Sequence, residues 1–162
     1  MHINNRLDQN YLKTLTVLYV EDDAETRKQF SEFLYRPVGT LITASNGAEG
    51  LEAFKKHEPD IVITDILMPT MDGLTMAQGI RELAPSVPII VITAFEQTDY
   101  MMRAINIGID KFVTKPVNSY LLFESLWECA HHLRAEQQLK GYPGSVVDTE
   151  WSRRHNGRQH RA

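Results

Sequence analysis

Short β-rich apolar runs alternate along this chain with longer stretches whose apolar positions recur at helical spacing. Thr16-Val17-Leu18-Tyr19-Val20 predicts a first strand, and Glu21-Asp22-Asp23 then supplies acids and a helix cap before a helix over 25–34. Leu41-Ile42-Thr43-Ala44 predicts a second strand, closed by Ser45-Asn46-Gly47 ahead of a helix over 48–56. A third strand covers 60–64, followed by a helix whose stripe is Leu74, Met76, Ala77, Ile80 and Leu83. Pro88-Ile89-Ile90-Val91-Ile92-Thr93 is the most apolar run, and a strand apolar on both faces belongs at the centre of a parallel sheet. A helix over 99–107 ends at Gly108, a fifth strand covers 111–114, and Asn118 caps a long final helix reaching residue 140. Strands that alternate with helices across short loops, joined by right-handed crossovers, predict an α/β fold: a doubly wound, five-stranded parallel sheet with helices on both faces.

Chemistry enters at the carboxyl ends of these strands. Asp65 ends the apolar run of the third strand and is followed at once by Ile66-Leu67-Met68-Pro69-Thr70-Met71-Asp72-Gly73. An acid inside such a strand is costly, whereas at its end it sits where open parallel sheets bind ligands. Glu21 and Asp22 follow the first strand, Thr93 ends the fourth and Lys115 follows the fifth, so all of them face one edge. Three carboxylates gathered there repel one another unless a proton or a cation compensates. Oxygen ligands favour a hard divalent cation, Mg²⁺ with Mn²⁺ as the alternative, and no Cys or His is placed to suggest zinc. The same set suits phosphoryl transfer: Asp65 as carboxylate nucleophile, Lys115 and the cation to offset charge on the moving oxygens, Thr93 to donate a hydrogen bond.

Composition narrows the setting. At 162 residues and 43% apolar, the chain can bury a sizeable core, and no apolar stretch approaches the roughly 20 residues that span a bilayer. The first residues lack the order of a secretory signal and Cys129 stands alone, so the expectation is a cytoplasmic protein without disulfides and without a membrane partner. A net charge of −4 argues against a nucleic-acid partner, although Arg153, Arg154, Arg158 and Arg161, with His155 and His160, make a basic tail.

Val20-Glu21-Asp22-Asp23, the segment from Asp65 to Gly73, Thr93-Ala94 and Lys115-Pro116 together resemble the receiver domains of bacterial two-component response regulators, of the chemotaxis-regulator type. The resemblance covers residues 14–134, leaving 1–13 as an N-terminal extension and 135–162 as a helix extension and basic tail. It implies a flavodoxin-like strand order 2-1-3-4-5. It also implies Asp65 as phosphoacceptor, Glu21, Asp22, Asp65 and the Leu67 backbone carbonyl as the Mg²⁺ ligands, and Thr93 and Lys115 as readers of the phosphoryl group. Thr93 and Phe112 would form the switch pair, with Phe112 lacking the hydroxyl of the more usual tyrosine. The implied partner is a sensor histidine kinase or a histidine phosphotransfer protein. A homodimer would form through the helix over 99–107, the fifth strand and the final helix. The chain would then be a signalling switch in a phosphorelay, not an enzyme, catalysing only its own phosphotransfer and dephosphorylation.

Taken singly, each residue has a structural role in competition. Asp22 or Asp23 suits a helix N-cap, Thr93 a strand, Lys115 a solvated loop and Phe112 a core. Leu122, Leu126, Cys129 and Leu133 are spaced like a coiled-coil seam, for which the alternative is packing on the sheet. Leu67 and Phe95 flank the expected phosphoryl group, where bulky apolar side chains would hinder an attacking water. Two other classes share part of this pattern. A Mg²⁺-dependent phosphatase of the haloacid dehalogenase type also uses an aspartyl phosphate, but wants a second Asp where Leu67 stands. A nucleotide-binding module wants Gly, Ser or Thr where Glu21-Asp22-Asp23 stands. The receiver could equally be one part of a longer kinase, diguanylate cyclase or transcription factor.

Overall fold

The computed structural model describes residues 6–94 and 98–141. In chain order its elements are α1 (Arg6–Leu12), β1 (Thr16–Val20), α2 (Ala24–Leu34), β2 (Thr40–Ala44), α3 (Gly47–His57), β3 (Ile61–Asp65), α4 (Gly73–Leu83), β4 (Ile89–Thr93), α5 (Thr98–Ile107), β5 (Lys111–Thr114) and α6 (Ser119–Lys140). The strands form one parallel sheet in the order β2-β1-β3-β4-β5, as expected. Strand alternation sorts the core into two layers. Val17, Tyr19, Ile61, Ile63, Ile90 and Ile92 pack toward α1, α2 and α6. Leu18, Val20, Val62, Ile89 and Val91 pack toward α3, α4 and α5. β3 and β4 are buried along their whole length, which is why their sequences show no polar alternation.

Local chemistry fixes the helix starts. Asp23, Asn46, Asp72 and Asn118 each accept a hydrogen bond from a backbone N–H two or three residues ahead, satisfying one of the donors that a helix leaves open. Gly108 leaves α5 at φ +80°, a conformation that a side chain would strain. Arg81 of α4 anchors this turn by donating to the carbonyls of Val87 and Gly108 and to the Asp110 carboxylate.

Helix α1 has no counterpart in the periodic pattern. At seven residues it is too short to form by itself, and tertiary burial holds it: Leu12 and Leu15 are buried beneath β1, and α1 packs on α6. The same contact resolves the stripe on α6. Leu122, Leu126 and Cys129 are buried in the layer facing the sheet, and Leu133 packs at its margin, so this stripe is core. Beyond it, Tyr11 lies close enough to feel the charges of Glu136 and Arg134. Helix α1 thus contacts α6 from within the chain, while Leu139 near the end of α6 stays exposed. No helix among the described residues is long and apolar enough to cross a membrane. Phe95 and the basic tail lie outside the described residues.

Candidate functional site

The carboxyl edge of the sheet carries a cavity of about 460 Å³, lined by Glu21, Asp22, Asp65, Leu67, Thr93 and Lys115 among others. It is assembled from four strand ends, because a parallel sheet delivers every strand's last residue to the same side. Glu21 and Asp65 are buried, at 3% and 5% exposure, and Asp22 is exposed. Ligand oxygens of Glu21, Asp22 and Asp65 all lie within 4.8 Å of one another.

Each acid is held by its own neighbours. Asp23, not Asp22, is the N-cap of α2, accepting from the Thr26 N–H at 2.8 Å and the Thr26 hydroxyl at 2.6 Å. That division leaves the Asp22 carboxylate for the cavity. Glu21 Oε1 accepts from the Asp23 N–H at 3.1 Å, while Arg27 Nη1 donates to the Glu21 carbonyl at 2.7 Å and the Asp22 carbonyl at 3.3 Å. Arg27 thus ties the acidic loop to α2. Sequence reasoning missed it, although a cation one helical turn beyond the acids was the available signal. Asp65 Oδ1 accepts from the Ile66 N–H at 2.7 Å, and Oδ2 accepts from Lys115 Nζ at 2.6 Å.

The electrostatics follow from this crowding. Burial, reinforced by the Asp65 charge and opposed by the Asp23 N–H and Lys115, pushes Glu21 up to about 7. Burial by itself would lower Lys115, but its hydrogen bond to Asp65 and the surrounding carboxylates hold it above the usual lysine range. The pocket therefore has more negative charge than one ammonium offsets. Three hard oxygen donors at this spacing, with one acid retaining its proton, suit a divalent cation.

A pH dependence follows. Folded Glu21 keeps its proton up to about pH 7, whereas the unfolded residue releases it near its ordinary value, so between the two the folded state binds more protons. This group's contribution to stability falls as pH rises through that window. In a chelating buffer the thermal midpoint should be higher at about pH 5.5 than at about pH 8, and saturating Mg²⁺ should narrow the gap by taking the proton's place. A gap that Mg²⁺ leaves untouched would contradict this account.

The other expected residues are placed as follows. Thr93 is buried at the end of β4, beside the cavity. The Leu67 side chain is 60% exposed at the rim. Phe112 is not among the cavity's lining residues; it is half-buried against the layer beneath α4 and α5. Tyr100 of α5 and Phe30 of α2 also line the cavity, and no spacing rule pointed to them. The loop from Asp65 to α4 carries Thr70 at φ 72°, a strained position for a β-branched residue. Among the described residues, the Tyr19 hydroxyl is a buried side-chain oxygen with no hydrogen-bond partner.

Comparison with known proteins agrees with this geometry. A family model of the response regulator receiver domain matches residues 17–126. The chemotaxis protein CheY of Halobacterium salinarum is 35% identical over 100 residues, 62% of this chain and 83% of that protein. A cyclic di-GMP phosphodiesterase of Thermotoga maritima is 33% identical over 108 residues, 67% of this chain but only 29% of that protein. The solved N-terminal domain of an uncharacterized protein from Wolinella succinogenes superposes with a TM-score of 0.72 at 35% identity, covering 76% of this chain and 99% of that one. The chain thus spans most of a free-standing relative and under a third of a longer one. Receiver domains act in phosphorelay signalling, taking phosphoryl groups from histidine kinases or phosphotransfer proteins. On the fold, the acidic edge and these matches together, the chain belongs to the response regulator receiver domain family of two-component systems.

Proposed function

We propose that Asp65 accepts a phosphoryl group from a phosphohistidine, carried by a sensor kinase or a phosphotransfer protein, in a Mg²⁺-dependent reaction. The observation that carries the reading is the convergence of three carboxylates within 4.8 Å, with the Lys115 ammonium 2.6 Å from an oxygen of one of them. Glu21, Asp22, Asp65 and the Leu67 backbone carbonyl would hold the cation, which when bound supplies charge neutralisation for the phosphoryl oxygens. An Asp65 oxygen attacks phosphorus, the bond from phosphorus to the donor nitrogen breaks, and the imidazole leaves with its electron pair. Lys115 then moves its hydrogen bond from the carboxylate to the phosphoryl group, and Thr93 donates its hydroxyl from the end of β4. These contacts exist only in the phosphorylated state, so they bias the α5 and β5 surface toward a second conformation. Phe112 would follow Thr93 by filling or vacating apolar space.

That surface suits a second copy or a downstream partner, since α5 and α6 expose Met102, Ile105, Tyr120 and Leu121 there. A kinase phosphorylated from ATP places the reaction in the cytoplasm. The longer relative suggests that such a receiver also works as one module of a larger regulator. Incubating the protein with Mg²⁺ and acetyl phosphate, and mapping the added phosphate by mass spectrometry, tests the reading. Phosphate on Asp65 is expected, and no modification, or modification elsewhere, would defeat it.

Leu67 makes the lifetime of that phosphate a second test. Its exposed apolar side chain at the cavity rim offers no hydrogen bond to orient a water for in-line attack. The Leu67→Asn variant, alone and with Phe95→Glu, should lose phosphate faster by on the order of tenfold, about 1.4 kcal/mol of barrier. Equal decay rates in wild type and variants would remove Leu67 from the account.

A further inference from the structure

Strand β1 ends at Val20, so the carbonyls of Glu21 and Asp22 lie beyond the strand and take their donors from elsewhere. Arg27 supplies both. From the first turn of α2 its Nη1 donates to the Glu21 carbonyl at 2.7 Å and to the Asp22 carbonyl at 3.3 Å. The Glu21 carbonyl belongs to the rigid peptide plane between residues 21 and 22, and the Asp22 carbonyl to the plane between 22 and 23. These two planes meet at the Asp22 Cα. Holding both restrains φ and ψ of Asp22, and with them the direction in which its carboxylate leaves the backbone.

Asp22 is the acid that most needs such a hold. Glu21 and Asp65 are buried, with Glu21 accepting from the Asp23 N–H and Asp65 from the Ile66 N–H and Lys115, whereas Asp22 is exposed. Freedom left in an exposed loop acid must be removed when it binds a ligand, and that cost weakens binding. Arg27 is itself anchored for the task. The residue is half-buried, its N–H donates to the Asp23 carbonyl at 2.8 Å, and the Ser31 hydroxyl donates to its carbonyl. A guanidinium this close to a cation site also repels the incoming ion, so charge and positioning predict opposite effects of removing it.

We propose that Arg27 is a positioning residue for the acidic pocket. By clamping the carbonyls on either side of the Asp22 Cα, it presents the Asp22 carboxylate beside Glu21 and Asp65, ready for a divalent cation. This inference rests on the reading of Glu21, Asp22 and Asp65 as cation ligands.

The test compares Arg27→Met and Lys28→Met with wild type by calorimetric titration with Mg²⁺, at a temperature where thermal denaturation in chelator shows all three folded. Lys28 is the next residue of α2 and is exposed, so its variant loses the same charge and leaves the clamp in place. Arg27→Met should bind Mg²⁺ about tenfold more weakly, the scale on which groups that orient a metal ligand act. Lys28→Met should bind as wild type does, or more tightly. Phosphate incorporation from acetyl phosphate should recover in Arg27→Met at saturating Mg²⁺, since Asp65 and Lys115 are untouched. An arginine that only offset charge or supported the fold would leave Mg²⁺ affinity within twofold of wild type or raise it. Either result overturns the proposal, as does an equal loss in Lys28→Met, while a wild type that binds Mg²⁺ and is phosphorylated on Asp65 keeps the functional reading intact. A wild type that binds no Mg²⁺ overturns both.

Discussion

Replacing Asp65 with Asn should reduce phosphate incorporation from acetyl phosphate to below about a thousandth of the wild-type rate, the scale on which loss of a nucleophile is felt. The carboxamide keeps the shape of the side chain but has no anionic oxygen to attack phosphorus, and none of its neighbours can substitute. Glu21 is equally buried, yet it holds its proton up to about pH 7, and Asp22 is exposed and one residue further along the loop. The same substitution removes one of the charges that raise Glu21 and leaves Lys115 at most a neutral carboxamide oxygen in place of an anionic partner. Asp65→Asn would therefore return Glu21 toward the usual carboxylate range, so the cation-free variant should show a weaker dependence of thermal midpoint on pH than wild type. Intact mass after incubation and denaturation at two pH values check the two halves separately. Incorporation that survives the substitution would move the phosphoacceptor elsewhere.

The second large effect is expected at Gly73. A Cβ at this position would stand 1.8 Å from the Asp65 carbonyl oxygen and 2.9 Å from Thr64 Oγ1. The first contact is with backbone, which no rotamer change relieves, and the Gly73 N–H is itself bonded to the Ile66 carbonyl at 2.8 Å. Gly73→Ala must push the start of α4 away from the end of β3, moving Asp65 with it. Overpacking of a rigid site typically costs about 1–3 kcal/mol, and a contact this short belongs at or beyond the upper end. Urea denaturation should show that loss, and phosphate incorporation should fall with it because Asp65 leaves the reach of Lys115. Gly79→Ala, in the same helix, is the contrast: its Cβ would meet only the flexible end of Leu51 at 3.3 Å, and the gain in helix propensity of about 1 kcal/mol offsets that contact. Similar losses at the two positions would refute the steric account.

Much of the molecule is legible in its sequence. The strands were readable because β3 and β4 are buried on both faces and so appear as unbroken apolar runs. The caps were readable because Asp, Asn and Gly carry out those tasks through local chemistry. Asp65, Glu21, Asp22, Thr93 and Lys115 were readable because a parallel sheet sends strand ends to one edge, so position within a strand translates into position in space. Phe112 was readable only as a strand aromatic, and it lies outside the cavity's lining residues, within the layer under α5.

What remained hidden depends on contacts between segments distant in the chain. Helix α1 exists because Leu12 and Leu15 find a buried place beneath β1 and because α6 runs far enough to meet it. The apolar stripe of α6 carried one period whether it faced a second chain or its own sheet, and only packing decided for the sheet. Tyr100 and Phe30 reach the cavity from helices, where orientation is set by docking. Tyr19 reads in the sequence as one more β-rich core residue. Only packing leaves its hydroxyl buried without a hydrogen-bond partner. The sequence alone determined the sheet, its edge and the charge gathered there, because those follow from local pattern and connectivity. The tertiary structure decided which further side chains line the cavity and which face α6 turns to the sheet, because burial and docking are properties of neighbours in space.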